Sequence, residues 1–126
     1  TPQSYKNFNK FKVLGRTNKE KKNLLKLAQE SETLGAKAVL LECVTANTAK
    51  LITENISIPT IGIGASKYCD GQVLVFDDLI NLNINDKKPK FVKNYFNFNK
   101  VATNVVKKYN REVKLKKFPS TKFTYN

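Results

Sequence analysis

One carboxylate stands at the end of an apolar segment, where it is well placed to do chemistry. Glu42 follows the apolar run 38–41 and precedes Cys43 and Val44. A run of this kind, without polar alternation, is typical of a strand covered on both faces of a parallel sheet. The carboxyl ends of such strands are where α/β barrels and open α/β sheets bind their ligands. Glu42 is therefore a candidate general base, although the same carboxylate could instead pair with a lysine or cap the helix that begins near Ala46.

A bend of small residues follows the second apolar segment. Gly62 and Gly64 lead into Ala65 and Ser66. Backbone N–H groups at such a bend can approach a ligand closely and hold an oxyanion or a carboxylate, because no bulky side chain intervenes. The alternative is a turn that is small only for packing. The bend is not a dinucleotide-binding loop, since Lys67 stands where the third glycine of that pattern would be.

Two acidic residues follow a third apolar run, residues 73–76. Asp77 and Asp78 could bind a divalent cation through oxygen, but N-capping of a following helix is the favoured interpretation. Asp70 and Gly71 earlier in the chain indicate a turn.

The composition excludes several kinds of site. The chain has no histidine, which removes Ser-His and Cys-His nucleophile pairs and argues against a zinc site. Cys43 and Cys69 are the two cysteines. They are too few for a disulfide scaffold and are expected to be small buried residues in a reducing cytosol. No apolar run reaches about 18 residues, and we expect neither a transmembrane helix nor a signal peptide.

The net charge is strongly positive, with 23 basic against 10 acidic side chains, a balance of +13. Such a charge is often a sign of nucleic-acid binding. Only Arg16 and Arg111 are arginines, however, and arginine is the usual residue for forked phosphate and guanine contacts. We interpret the lysines mainly as a solvated surface.

The hydrophobic periodicity predicts the order α-β-α-β-loop-β, followed by a basic helix. A capping box at Thr17 and Glu20 opens the first helix and Gly35 ends it, with Leu24, Leu27, Ala28 and Leu34 on its apolar face. Strands separated by helices of this length favour parallel pairing. The other predicted elements are a loop at 1–16, strands at 37–43, 60–64 and 73–76, and helices at about 46–55 and 97–115, with Asn81, Asn83 and Asn85 in a polar stretch between strand and helix. With 126 residues, the whole chain 1–126 is expected to be one partial domain, because a complete barrel needs about 250.

Six stretches, taken together, resemble the C-terminal half of the ketopantoate hydroxymethyltransferase family. They are TPQS (1–4), FKVLGRT (11–17), LLECV (40–44), IPTIGIGA (58–65), CDGQVLV (69–75) and KPKFVK (88–93). The resemblance implies an α/β fold, the C-terminal portion of a (β/α)8 TIM barrel with its last three strands and C-terminal helices. Within the family motif LECV, Glu42 matches the residue that accepts the proton.

The resemblance also implies an activity. Family members transfer a hydroxymethyl group from 5,10-methylenetetrahydrofolate to 3-methyl-2-oxobutanoate, giving 2-dehydropantoate in pantothenate synthesis. They use Mg²⁺, whose ligands lie in the N-terminal half, so no metal or cofactor ligand is assigned to this chain. The family further implies a cytoplasmic homo-oligomer, commonly a decamer, with no membrane or nucleic-acid partner.

The sequence departs from the family pattern at several positions. Thr45 stands where proline usually follows LECV, Ser66 replaces a glycine, and Asp77 and Phe123 replace frequent histidines. The competing hypothesis is a basic, non-catalytic module that binds nucleic acid through its last helix. Salt-dependent binding to DNA or RNA would favour that hypothesis.

Overall fold

The computed structural model of the chain describes residues 12–82 and 88–125. Residues 1–11 of the loop predicted at 1–16, and the polar positions Asn83 and Asn85, lie outside this range. The described residues form two compact units. The first contains residues 12–74 and 89–91, and the second contains residues 75–82, 88 and 92–125.

The first unit is α/β, with a small parallel sheet. Its helices are α1 (Asn18–Thr33) and α2 (Ala46–Thr53), and its strands are β1 (Val39–Glu42), β2 (Thr60–Ile63) and β3 (Gly71–Gln72). The strands lie in the order β1-β2-β3, and both neighbouring pairs are parallel. The predicted strand order and parallel pairing are therefore confirmed.

The third strand lies earlier in the chain than predicted. In the observed register, Ile61 pairs with Gly71 and Gly62 pairs with Gln72. Because β2 ends at Ile63, residues after Val73 have no residue of β2 to pair with. The last ladder hydrogen bond runs from the Val73 N–H to the Gly62 carbonyl at 3.0 Å. The apolar run 73–76 is thus not a strand, and Phe76 begins a short helix instead.

The first helix begins and ends where its local sequence predicts. The Thr17 hydroxyl accepts from the Glu20 N–H at 3.1 Å, and the Glu20 carboxylate accepts from the Thr17 N–H at 3.3 Å. Gly35 follows the helix with φ +90°, the left-handed conformation that glycine adopts at no steric cost. Both halves of the predicted capping box are present.

The core of the first unit lies between the two helices and one face of the sheet. Its buried members are Ala28, Leu41, Val44, Ala49, Ile52 and Cys69. The predicted apolar face of α1 is correct at Leu24 and Ala28 but wrong at Leu27 and Leu34, which are 49% and 87% exposed. The buried stripe passes through Leu24 and Ala28, and Leu34 lies past the last helical turn as the C-cap residue.

The other face of the sheet is open within the first unit. Leu41 is 6% exposed, whereas its neighbour Leu40 is 56% exposed. Side chains alternate along a strand, and the register pairs Leu40 with Ile61 and Glu42 with Ile63, so these four residues share the open face. The prediction that β1 is covered on both faces is wrong for this unit, because Leu40 is largely exposed there.

A hydrogen-bonded pair fixes the start of β2 against the loop before β3. Asp70 Oδ2 accepts from the Thr60 N–H at 2.8 Å and from the Thr60 hydroxyl at 3.0 Å. The Asp70 N–H donates to Thr60 Oγ1 at 3.2 Å, and the hydroxyls of Thr60 and Thr53 lie 2.8 Å apart. The hydrogen bonds from the Thr60 N–H and hydroxyl lower the pKa of Asp70. The carboxylate therefore sets where β3 begins.

Loss of this carboxylate is expected to make stability less pH-dependent. Because the folded-state pKa of Asp70 lies below its ordinary value of 3.8, its contribution is present above that value and is lost as pH falls through the folded-state pKa. Urea unfolding at low protein concentration should show Asp70→Asn less stable than the unmutated chain at neutral pH, with the gap closing below about pH 4. Thr60→Val, which deletes a fully buried hydroxyl, should cost about 1–3 kcal/mol of unfolding free energy. If the difference in unfolding free energy between Asp70→Asn and the unmutated chain stayed constant across pH, the lowered pKa of Asp70 would be contradicted.

The second unit is built around one long basic helix. It contains α3 (Phe76–Leu79), α4 (Phe98–Lys114) and a 3₁₀ turn (Thr121–Phe123). Asn97 caps α4 by accepting from the Lys100 N–H at 3.1 Å, as the predicted start of the helix requires. Apolar side chains recur along this helix at i, i+3 and i+7 spacing, as expected for one helical face, but they are exposed, by 40% to 62% at Phe98, Val101, Val105, Tyr109 and Val113.

Candidate functional site

Glu42 occupies the carboxyl end of β1, as predicted. It pairs with Ile63 across the ladder and is half-buried at the edge of the open face. Leu40, Ile61 and Ile63 lie on the same face of the sheet as the carboxylate. A substrate bound on this face would contact the Glu42 carboxylate and the neighbouring apolar side chains.

The residue after Glu42 turns the chain away from the strand. Cys43 has φ +53°, a left-handed conformation that costs a non-glycine residue about 1–3 kcal/mol and is typical of functional sites. Two hydrogen bonds hold it: its N–H donates to the Ile63 carbonyl, and its carbonyl accepts from the Leu14 N–H, both at 2.9 Å. Burial raises the pKa of the Cys43 thiol, and the Glu42 carboxylate raises it further. The thiol of Cys43 therefore stays protonated at neutral pH.

Two threonines anchor the start of α2 to the segment before α1. The hydroxyls of Thr45 and Thr48 donate to the Gly15 carbonyl at 2.7 and 2.8 Å. Gly15 has φ +81°, and a Cβ there would lie 2.6 Å from Thr48 Oγ1, so the contact requires glycine. The hydrogen bond of Thr45 is one that a proline at this position could not make. This anchor could not be predicted from local sequence patterns, because its partners lie 30 and 33 residues apart in the chain.

The small-residue bend after β2 forms one side of an open groove. Gly64 has φ +62°, and a Cβ on it would lie 2.5 Å from Phe91 Cδ1, so the Phe91 ring packs directly on the bend. The groove has a volume of about 460 Å³. Its lining consists of Val13, Cys43, Gly64, Ala65, Ser66, Gln72, Lys90 and Phe91. Lys90 and Phe91 belong to the family-like stretch KPKFVK, from which no role in a site was predicted for them.

The acidic pair Asp77 and Asp78 lies in the second unit, inside α3. The predicted N-capping is wrong, because Val75 is the N-cap residue and no side chain caps the helix. The predicted strands at 37–43 and 73–76 would also bring Asp77 to the same sheet end as Glu42, and this stays a prediction. Over residues 12–82 and 88–125, no group of three or more Cys, Asp or Glu side chains is arranged to hold a metal ion. No chemical step here is assigned to a metal.

A search of the described helices finds none with the length and apolar character needed to cross a membrane.

Comparison with known proteins gives a consistent result over nearly the whole chain. The family model for ketopantoate hydroxymethyltransferase matches residues 1–121. A 3-methyl-2-oxobutanoate hydroxymethyltransferase from Thermosipho melanesiensis is 49% identical over 99% of this chain and 47% of its own length. Proteins of the same name from Clostridium botulinum (strain 657 / Type Ba4) and Francisella tularensis subsp. tularensis are 46% and 44% identical, over 99% and 100% of this chain and 45% and 47% of their own lengths.

The match is limited in one respect, because the chain spans about half the length of these curated relatives. The family model nevertheless covers most of the chain, and it includes the strand end with Glu42 and the bend at residues 62–66. The resemblance first noted in LLECV and IPTIGIGA is therefore confirmed, and this chain belongs to the ketopantoate hydroxymethyltransferase family.

Proposed function

We propose that this chain supplies the general base of a 3-methyl-2-oxobutanoate hydroxymethyltransferase, an enzyme of pantothenate synthesis. The observation that carries the proposal is the position of Glu42. It is an acidic residue at the carboxyl end of a parallel strand, on an apolar face, in a chain of this family. Parallel sheets bind their ligands at that end of the strands.

In the proposed reaction, the Glu42 carboxylate takes the proton from C3 of 3-methyl-2-oxobutanoate. The electron pair of the broken C–H bond forms an enolate. Water adds to the methylene carbon of 5,10-methylenetetrahydrofolate and both C–N bonds of that carbon break, so that the carbon leaves as formaldehyde carrying the water oxygen. C3 of the enolate forms the C–C bond to this carbonyl carbon, and the resulting alkoxide takes a proton to give the hydroxyl of 2-dehydropantoate. The two water protons end on the nitrogens of tetrahydrofolate and the proton from C3 ends on the new hydroxyl, so atoms and charge balance.

The surroundings of Glu42 suit a base of this kind. Leu40, Ile61 and Ile63 present an apolar surface beside the carboxylate, which complements the two methyl groups of the keto acid. A covered apolar face would also exclude water from the enolate, and exclusion of water strengthens the electrostatic interactions inside a site.

The remaining features of the whole protein are part of the same proposal. The three parallel strands in sequential order, with an open apolar face, fit the last part of a (β/α)8 barrel whose other strands cover that face. We propose that the Mg²⁺ ligands lie in the part of the enzyme that this chain does not match. We also propose that the assembled enzyme is a cytoplasmic homo-oligomer.

The test is to complete the enzyme. This chain is joined to the segment of the Thermosipho melanesiensis relative that it does not match, a product called here the joined enzyme. With Mg²⁺, 3-methyl-2-oxobutanoate and 5,10-methylenetetrahydrofolate, the joined enzyme should form 2-dehydropantoate, measured by mass spectrometry. A folded joined enzyme that neither forms this product nor exchanges the C3 proton of the keto acid would contradict the proposal.

A further inference from the structure

The groove beside Glu42 has no role in the proton transfer proposed above. It is continuous with the base through Cys43, which lines the groove and follows Glu42 in the chain. Cys43 therefore borders the groove and directly follows the strand end that carries Glu42.

One side of the groove offers hydrogen-bond donors with no acceptor. Within the described residues, the N–H groups of Gly64, Ala65 and Ser66 donate no hydrogen bond. Successive free N–H groups in a bend with one left-handed residue form a concave site for anions. The neighbouring backbone is well held, because the Gln72 amide donates to the Ser66 carbonyl at 2.7 Å and the Tyr68 N–H donates to Ser66 Oγ at 3.2 Å.

The groove also offers a cation. Lys90 lines it, is exposed, and has no ion pair or hydrogen bond within the described residues. No acidic side chain is among those lining residues that the structure describes. The free N–H groups and the ammonium group together favour a carboxylate over a neutral or cationic ligand.

An aromatic wall stands next to these anion-binding groups. The half-buried Phe91 ring packs on Gly64, in a contact that any side chain at position 64 would remove. An aromatic ring of the ligand could stack on or against this wall, with ring centroids about 4.5–7 Å apart. The groove volume of about 460 Å³ lies within the range of about 300–1,000 Å³ that is usual for small-molecule sites.

We propose that this groove binds the aminobenzoyl-glutamate part of the one-carbon donor, with a glutamate carboxylate on Lys90 and the 64–66 amides and the aryl ring against Phe91. The inference rests on the proposed function, because it identifies which cosubstrate the groove holds. The net charge of +13 supports it, since a positive surface raises the local concentration of a polyanionic ligand.

The test uses Lys90→Gln in the joined enzyme, with Lys93→Gln as the matched control. Lys93 lies three residues away, outside the groove lining, with its ammonium group over the Tyr95 ring. Lys90→Gln should raise the KM for 5,10-methylenetetrahydrofolate about tenfold or more, the effect of losing one charge-assisted hydrogen bond. The KM for the keto acid and the folate-free exchange of its C3 proton should not change. Lys93→Gln should leave all three unchanged.

A binding measurement tests the groove without turnover. Calorimetric titration with 4-aminobenzoyl-L-glutamate should show about tenfold weaker binding to Lys90→Gln than to the unmutated enzyme. The uncharged analogue 4-aminobenzamide should bind both equally. Equal binding of 4-aminobenzoyl-glutamate to both proteins, or a rise in the keto-acid KM instead, would overturn the inference. If the unmutated joined enzyme did not exchange the C3 proton at all, the proposed function would be contradicted. The titration with 4-aminobenzoyl-L-glutamate would still test the role of the groove.

Discussion

Glu42→Gln is expected to abolish proton abstraction while leaving binding of the keto acid largely intact. The amide keeps the size and the hydrogen-bonding capacity of the carboxylate but cannot accept the proton. General-base catalysis contributes about 10²–10⁴-fold, so the loss should fall in that range. It should appear in kcat rather than in KM, since the interaction that is lost exists only in the transition state. The measurement is exchange of the C3 proton of 3-methyl-2-oxobutanoate with deuterated solvent, without folate, in the joined enzyme.

Glu54→Gln serves as the matched control for this substitution. Glu54 is an exposed carboxylate at the end of α2 that pairs with Lys50 at 3.6 Å, and its loss should not affect exchange. Surface pairs of this kind contribute about 0–1 kcal/mol to stability, so the control protein should also fold. Exchange at the unmutated rate by Glu42→Gln would show that Glu42 is not the base. Its place at the end of β1 would then require a structural explanation.

The second large effect concerns the open face of the sheet. Leu40 is 56% exposed and Val73 is 47% exposed, and the apolar face of α4 is exposed as well. Exposed apolar faces and open sheet edges favour association with other chains. The 126-residue chain alone is therefore expected to be marginally stable, to aggregate or to rely on a partner. Light scattering and thermal melts over a range of concentrations measure this, and a sharp, reversible, concentration-independent transition of a monomer would contradict it.

A substitution at Leu40 separates the isolated chain from the complete enzyme. In the isolated chain, Leu40→Lys should reduce aggregation and change the unfolding free energy by no more than about 0.5 kcal/mol, because the side chain is already exposed. In the joined enzyme, where we propose that the same face is covered, it should cost about 2–5 kcal/mol. Leu34→Lys is the control, since Leu34 is 87% exposed and lies at the end of α1. Equal and small effects of both substitutions in the joined enzyme would show that the face stays open.

Several elements could be predicted from the sequence because short-range interactions determine them. The ends of α1 follow from the capping box at Thr17 and Glu20 and from Gly35, all of which act within a few residues. The start of α4 is also determined locally, because Asn97 caps the helix by accepting a hydrogen bond from the Lys100 N–H. The parallel order of the strands followed from the helix between the first two and from the general rule on crossovers. Glu42 could be placed at a strand end because an apolar run and the residue after it are adjacent in the chain.

The tertiary structure alone decided what depends on contacts between distant residues. The third strand was predicted at the apolar run 73–76 but lies at Gly71–Gln72, directly after the Asp70 carboxylate that is hydrogen-bonded to Thr60. The position of a strand depends on pairing with its neighbour and not on hydrophobicity alone. The groove exists because Phe91 packs on Gly64, 27 positions earlier in the chain, and the exposure of Leu40 depends on what lies against the sheet. Hydrophobic pattern and turn chemistry specify local conformation, whereas burial and the grouping of side chains depend on which segments meet in space.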